Sequence, residues 1–431
     1  RQQPPSTSQA ISRLLFAELL RSSMRSSFPI DAVVILAVAV ETARAASVLA
    51  AASAGNIAAY TSFRSKYRRG GDAVDFATRL ALFAKRRAEV QAHNARKDST
   101  WIAEVNRFAD YTEQERQALF GYDRAGRSVS YSSPSSSFLE AQPAVELADS
   151  VDLRETLESG KFTRQQEACG SCWAVAAVGA LEMQAEIDAR GSSSSSSSFL
   201  QRKNSSSLLQ RKRRTAALKL SFEQLVACVE NKQHCGGDGG CKGATAELAF
   251  EYARVHGVVE MAGYEHGYES QSPEDNCGEP MQGAAIVKIG GWDRLPTNKL
   301  MPLMERVNHG PVVVSVAANG WSMYQSGVFG SCAVDAVVNH AVLLIGYGHD
   351  QQTGKDYWLI RNSWGDDWGN QGTIKLERHA SDEGEAGYCG IDNNSKEGVG
   401  CDGDPLEIPI CGMCGVLSDS SFPKSATLIT M

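Results

Sequence analysis

The 431-residue sequence has no excess of basic charge, since 43 Lys+Arg stand against 50 Asp+Glu for a formal net charge of −7. Nucleic-acid recognition draws on a basic surface, so DNA and RNA are poor partners for this chain. It also lacks a long hydrophobic run. The apolar stretch Ala32–Val40 holds nine residues and is closed by Glu41 and Arg44, well short of the roughly 20 needed to span a bilayer as a helix. No membrane span is therefore expected. Nor is the chain poor in core-forming residues: 42% are hydrophobic and 8% aromatic. That excludes wholesale disorder, and the length suits about three domains.

The charge is unevenly spread. Residues 1–146 carry 19 Lys+Arg against 14 Asp+Glu, whereas residues 147–431 carry 24 against 36. Within the acidic part, Arg190–Lys219 holds 8 basic residues and no acidic one, with an unbroken serine run at Ser192–Ser198. Such a tract reads as a low-complexity insertion, 190–219, either tolerated on the surface or used as a processing or docking strip. All eleven cysteines follow residue 168. An odd count suggests disulfides plus one working thiol, and hence an oxidising, secretory route. Met24, Arg25, the apolar run and Ala43-Arg44-Ala45 give residues 24–45 the layout of a signal peptide. Residues 1–23 form an upstream segment without an evident role.

Between 57 and 120 the composition turns helical and charged. Asp75, Arg79, Phe83, Arg86, Val90 and Asn94 recur at intervals of three and four, which aligns them along one helix face. Asn106, Phe108 and Asp110 alternate as in an extended strand. A Ser-rich stretch with two prolines then marks 121–148 as an exposed, cleavable linker. The largest domain occupies 149–431.

The densest chemistry lies at Cys169-Gly170-Ser171-Cys172-Trp173, followed by the almost wholly apolar Ala174–Leu181, which predicts a buried helix. Cys172 stands at its N-terminus, where the helix dipole and a neighbouring imidazolium would lower the thiol pKa and supply a nucleophile. A thiol–disulfide oxidoreductase using Cys169 and Cys172 is the alternative, although the flanking sequence lacks the βαβ pattern of that class. A base is available downstream. His340–Gly348 and Asp356–Asn362 are apolar runs separated by a polar loop containing Gly354, a β-hairpin pattern. A turn centred on Gln351 pairs residues whose numbers add to 702, placing His340 opposite Asn362. The amide would then fix the ring, and Trp364 would shield the bond from water.

Cys169–Trp173, Asn339-His340-Ala341, Asn362-Ser363-Trp364-Gly365 and Trp368-Gly369 together resemble the papain-like cysteine peptidases. His340 and Asn362 lie 168 and 190 residues after Cys172; less the 30-residue insertion, these separations approach the roughly 130–150 expected of that family. The resemblance implies an α+β, papain-like two-lobed fold, with a helical lobe led by the Cys172 helix and a β-barrel-like lobe holding His340 and Asn362. It implies that Cys172 attacks the scissile carbonyl, His340 shuttles the proton, Asn362 orients His340, and Gln166 helps hold the oxyanion. Residues 57–120 resemble the family's inhibitory propeptide, departing from its commonest residues at Asp75, Arg86, Val90 and Glu104.

The same resemblance implies substrate-binding roles for Gly243, Ala244, Ser315, Ala341 and Trp364, with Ser315 and Ala341 leaving room for an apolar side chain. It implies disulfides Cys169–Cys241, Cys228–Cys277 and Cys332–Cys389. Cys235, Cys401, Cys411 and Cys414 remain for two further bridges or, through the C-x-x-C at 411–414, a zinc site. No histidine-pair loop or exclusion domain of the exopeptidase relatives is recognisable. The expectation is a cysteine endopeptidase zymogen activated at acid pH, without metal or organic cofactor, destined for the secretory pathway, lysosome, vacuole or outside. It would be monomeric, acting on polypeptides and open to cystatin-like inhibitors. A catalytically silent binding or inhibitory protein on the same scaffold is the other alternative.

Overall fold

The computed structural model describes residues 54–67, 73–121, 147–191, 218–264, 277–379 and 388–430. The expected signal peptide, most of the linker and nearly all of the basic insertion lie outside the described residues. The chain divides into two compact units, one comprising residues up to Glu89 with Ala109–Thr112, the other Val90–Phe108 with everything from Glu113 onward.

In the first unit, helix α1 (Ala54–Tyr67) packs on the front of helix α2 (Ala73–Asn94). Tyr60, Phe63, Phe76 and Phe83 form a ring cluster with centroid separations of 5.0–5.8 Å. This cluster supplies the apolar contact that short helices need to persist. Arg79 bonds Asp75 at 2.8 Å and the Asp110 carbonyl at 3.3 Å, and the Tyr60 hydroxyl donates to Asp110 Oδ2 at 3.2 Å. The spaced polar residues of α2 thus tie the turn at Asp110 to the helix pair.

The second unit begins with the last turn of α2. The Asn94 amide bonds both the N–H (2.9 Å) and the carbonyl (2.8 Å) of Ala103, as a neighbouring strand would. That residue ends strand β1 (Trp101–Ala103), and helix α3 (Glu113–Gln117) follows. Strand β2 (Val151–Asp152) and helix α4 (Leu153–Thr156) lead towards helix α5 (Cys172–Gly191). Cys172–Glu186 are all buried, because α5 is surrounded by protein and so has no polar face. The two carboxylates in that run are satisfied: Glu182 accepts from Arg164 at 3.0 Å and Glu186 from the Ser159 N–H at 2.9 Å. Helices α6 (Phe222–Cys228), capped by Ser221, and α7 (Ala246–Val255) pack on α5 and complete a helical lobe.

The other lobe is built from strands β3 (Val258–Val259), β4 (Ala285–Arg294), β5 (Val312–Val316), β6 (Tyr324–Phe329), β7 (His340–Asp350), β8 (Lys355–Arg361), β9 (Thr373–Glu377) and β12 (Ser420–Thr430), with helix α8 (Leu300–His309) against them. Strand order is β1-β6-β9-β8-β7-β5-β12-β4-β3, with β2 also on β7. Strands β10 (Cys389–Asp392) and β11 (Ile408–Cys411) form a separate hairpin. The architecture is α+β, a helical lobe facing a β lobe.

The β7–β8 hairpin forms with a different register from that expected. Leu343 pairs with Arg361, and beyond an irregularity near Ile345 Gly346 pairs with Leu359. The turn is therefore centred beyond Gln351, with Gly354 in the left-handed region (φ 65°), as a tight reversal requires. His340 pairs through its backbone with Val316 of β5 instead. Five disulfides link ten of the eleven cysteines: Cys169–Cys241, Cys228–Cys277, Cys235–Cys401, Cys332–Cys414 and Cys389–Cys411. The expected Cys332–Cys389 pairing is incorrect. Cys389 and Cys411 face each other in the β10–β11 ladder, and the bond from Ala317 N–H to the Cys414 carbonyl brings Cys414 to the Cys332 loop. Cys411 and Cys414 are thereby consumed, which removes the zinc alternative.

Candidate active site

Cys172 is the free cysteine, at the first position of α5. Cys169 is bonded to Cys241 instead of Cys172, so the C-x-x-C is not a redox pair and the oxidoreductase alternative falls. The Cys172 Sγ accepts the Ala341 N–H at 3.2 Å. Strand β7 thereby brings the residue following His340 onto the sulfur. His340 Nε2 meets Asn362 Oδ1 at 2.8 Å although their backbones are not paired, because Asn362 lies just past the end of β8. The Trp364 ring lies 5.2 Å from the imidazole and shields that bond. His340 Nδ1 is buried without a hydrogen-bond partner.

Gln166 enters from the loop preceding α5. Its backbone N–H donates to the Ser363 carbonyl at 2.8 Å, and the Ser363 hydroxyl donates to its Oε1. The side-chain orientation is thus fixed from the Asn362 side. The Gln166 Nε2 donates to the Cys169 carbonyl at 2.8 Å and the Leu119 carbonyl at 3.1 Å. Trp364 Nε1 donates to the same Leu119 carbonyl at 3.3 Å. A carbonyl from the segment after α3 therefore lies on the expected oxyanion donor.

That segment, Leu119–Gly121, covers the site. Phe120 stands edge-on to His340 at 6.1 Å. Gly121 lies so close that a Cβ there would collide with the Cys172 sulfur. Its carbonyl approaches Gly243 (φ 92°) closely enough that any side chain at Gly243 would also collide, and both positions need glycine for that reason. Sequence reading missed Leu119–Gly121 as site residues, since nothing local distinguishes them from the start of a linker. Upstream, Phe108 packs edge-on to Trp364 at 5.6 Å, Arg107 pairs with Asp367 at 3.1 Å, and Asn106 donates to the Ser322 carbonyl at 2.7 Å.

Coverage sets the protonation states. Burial pushes the Cys172 thiol up to about 12, against N–H groups of Ala341, Gly121 and Trp173 that favour the thiolate. Burial also takes His340 down to about 4, partly offset by Asn362. The sequence-based expectation of a depressed thiol pKa therefore does not apply to this covered form, where desolvation outweighs the helix terminus. Both groups are neutral.

The other expected site residues, Gly243, Ala244, Ser315, Ala341 and Trp364, are all buried. Ala341 is buried beside the sulfur, paired with Ser315. The Ser315 hydroxyl donates to Asp419 Oδ2 at 2.7 Å. Asp419, which sequence reading passed over, has its pKa raised to about 6 by burial and by Glu247. Ala244 is buried as well, in the hydrophobic cluster that also holds Ala341.

A nucleophile position on a helix terminus, an amide-braced histidine and a covering chain segment in one cleft are the arrangement of a papain-like proenzyme. The sequence comparisons agree. Residues 147–201 and 191–399 match the papain family cysteine protease domain, and residues 60–115 match the cathepsin propeptide inhibitor domain. The chain belongs to the papain family of cysteine proteases. "Cysteine protease 1" of Oryza sativa subsp. japonica is 32% identical over 78% of this chain and 63% of its own length, and "Oryzain beta chain" of the same plant is 32% identical over 70% and 57%. This papain-family chain thus spans about three fifths of the length of those relatives. "Probable cysteine protease RDL2" of Arabidopsis thaliana is 30% identical over 73% of this chain and 76% of its own. The proform of the ragweed pollen cysteine protease Amb a 11 superposes with a TM-score of 0.59 at 25% identity, covering 86% of this chain and 93% of that one. The recombinant stem bromelain precursor has the same fold, with a TM-score of 0.60 at 24% identity over 86% and 99%. Among the described residues of this family member, no helix is long and apolar enough to cross a membrane, and no His/Cys/Asp/Glu group is placed to hold a metal.

Proposed function

We propose that the chain is a cysteine endopeptidase made as a zymogen and held inactive by its own propeptide. The observation that carries this is the Cys172–Ala341 contact beside the His340–Asn362 pair, with Leu119–Gly121 laid across all of them. Once that segment leaves, water returns, the thiol proton passes to His340, and the thiolate attacks the carbonyl carbon of a peptide. The carbonyl oxygen takes the negative charge and is held by Gln166 Nε2, where the Leu119 carbonyl lies in the covered form. The C–N bond breaks as His340 gives its proton to the leaving amine. His340 then takes a proton from water, whose oxygen attacks the thioester carbon, releasing the acid and the thiol. Asn362 holds the imidazole through both half-reactions.

The remaining parts of the reading rest on the family and the sequence. Residues 24–45 are removed on entry to the secretory pathway, 57–120 inhibit, cleavage falls within 121–148, and 149–431 form the catalytic domain. The enzyme works as a monomer on polypeptides in a lysosome, vacuole or outside the cell, and cystatin-like inhibitors occupy its cleft. Gly243, Ala244, Ser315, Ala341 and Trp364 line the substrate path.

The test is hydrolysis of a fluorogenic dipeptide amide by acid-treated protein, with and without an epoxysuccinyl thiol-protease inhibitor. Inhibitor-sensitive turnover is expected. Absence of both turnover and covalent labelling would instead identify a silent scaffold protein.

A further inference from the structure

Between β9 and β12 the chain makes an excursion that touches both lobes. Its hairpin, β10–β11, is anchored on the loop leading into His340: Ile391 N–H donates to Asp335 Oδ1 at 2.8 Å, and Val338 N–H to Asp392 Oδ2 at 3.0 Å. Val338 lies two residues before His340. Between the two strands the chain crosses to the helical lobe and meets the loop between α6 and α7. There Gly236 N–H donates to the Gly400 carbonyl at 3.2 Å and Asp402 N–H to the Gln233 carbonyl at 2.8 Å. His234 Nδ1 meets Asp402 Oδ2 at 2.7 Å, and Cys235 is joined to Cys401. The Asn231 amide bonds the Cys235 and Gly237 carbonyls, and Gly239 N–H donates to the Gly243 carbonyl at 2.7 Å. Asn231 Nδ2 also reaches the Gly243 carbonyl at 3.5 Å, so the fastening at Cys235 is connected by hydrogen bonds to Gly243, the glycine beside Gly121.

A single covalently locked strap thus joins the wall that carries His340 to the wall that carries Gly243. We propose that the Cys235–Cys401 clasp, with His234 and Asp402, is a specificity-determining element of the peptidase proposed above. It fixes the distance between the two walls on the Gly243 side, where the family resemblance would put the residues N-terminal to the scissile bond. The subsite is held at one width before substrate arrives, so binding there does not have to order two independently moving lobes. Chemistry at Cys172 is untouched by the clasp, because the sulfur, His340 and Asn362 are positioned by α5, β7 and β8.

The experiment compares the full-length parent, activated by acid, with C235S/C401S on peptide amides of two kinds. One series is extended by two to four residues N-terminal to the cleaved bond, the other only on its C-terminal side. Opening the clasp is expected to raise KM about tenfold for the first series, with kcat within twofold, and to change the second less than twofold. The rate of Cys172 alkylation stays as in the parent. Should the double variant not fold, H234A with the disulfide retained gives the same split, about threefold. An unchanged KM in folded variants, an equal rise in both series, or a fall confined to kcat overturns the clasp proposal alone. A parent that hydrolyses neither series overturns the peptidase reading and the proposal with it.

Discussion

At the residue scale, the site separates groups that react from groups that hold them. Gln166 is buried, its carbonyl oxygen bonded by Ser363 and its amide aimed where Leu119 presents an oxygen. For Q166A we predict a loss of about 2.7–4 kcal/mol of transition-state stabilisation, read as a fall of about 10²–10³ in kcat with KM little changed. An equal rise in KM would make it a ground-state contact. Asn362 acts on the ring through one 2.8 Å bond while its own Nδ2 stays unpartnered. N362A should lower kcat by about 10–100-fold, below the full 10²–10⁴ worth of general acid–base catalysis, because Trp364 still packs on the imidazole. C172A should leave no turnover. These residues were legible in the sequence because each stands in a short run with its own chemistry: a C-x-x-C before an apolar helix, a His that opens one strand of a hairpin and an Asn that closes the other. Asp419 was not, because its burial beside Glu247 and Ser315 is made by three separate elements.

At the scale of elements, the sequence yielded helix and hairpin identities and, through the family resemblance, the Cys169–Cys241 and Cys228–Cys277 bridges, but neither the hairpin register nor the partners of Cys332 and Cys389. A two-to-three-residue slip in β7–β8 is invisible to an apolar pattern interrupted by Gly346 and Gly348. The Cys389 partner depends on a hairpin whose strands are four residues each, too short, and too broken by Gly390 and Pro409, to announce themselves. The covering segment was illegible for a different reason, since its fit is made of backbone contacts at glycines. It is also where sequence changes should tell most. In G121A the new methyl cannot coexist with the Cys172 sulfur in the covered geometry, so the segment must shift away. We predict that the unprocessed G121A zymogen is alkylated by iodoacetamide at pH 7 at least tenfold faster than the parent. An unchanged rate would mean that the segment does not shield the thiol. Asn94 gives a milder case. It supplies the partner for both backbone groups of Ala103, and at about 0.5–1.5 kcal/mol per bond N94A should speed zymogen activation at fixed pH several-fold through loosening of β1.

At the scale of the whole molecule, the covered state stores a pH dependence whose sign follows from its two neutral groups. The imidazole of His340 has a pKa of about 4 while covered, against an ordinary 6.5. A partly opened state that wets the ring while Cys172 keeps its proton binds a proton from solvent that the covered state refuses, so the covered state loses ground to it as pH falls through 6.5. The loss runs at about 1.4 kcal/mol per pH unit and ends once pH passes below 4, where both states are protonated. Cys172 acts at the other end: its thiol at about 12 against an ordinary 9 means that the covered state is weakened only above pH 9. For these two groups the inhibited arrangement is therefore most stable between 6.5 and 9, and acid is the direction of release. The rate at which an added protease cuts the unprocessed chain within Leu119–Gly121 should rise by up to about tenfold per unit between pH 6.5 and 4, then level off. H340A, though inactive, should lose most of that slope while retaining cleavage, since the proton has no ring to bind. A parent rate that is flat between pH 7 and 4 would remove His340 as the trigger and leave the carboxylates of the acidic catalytic region to explain any activation by acid.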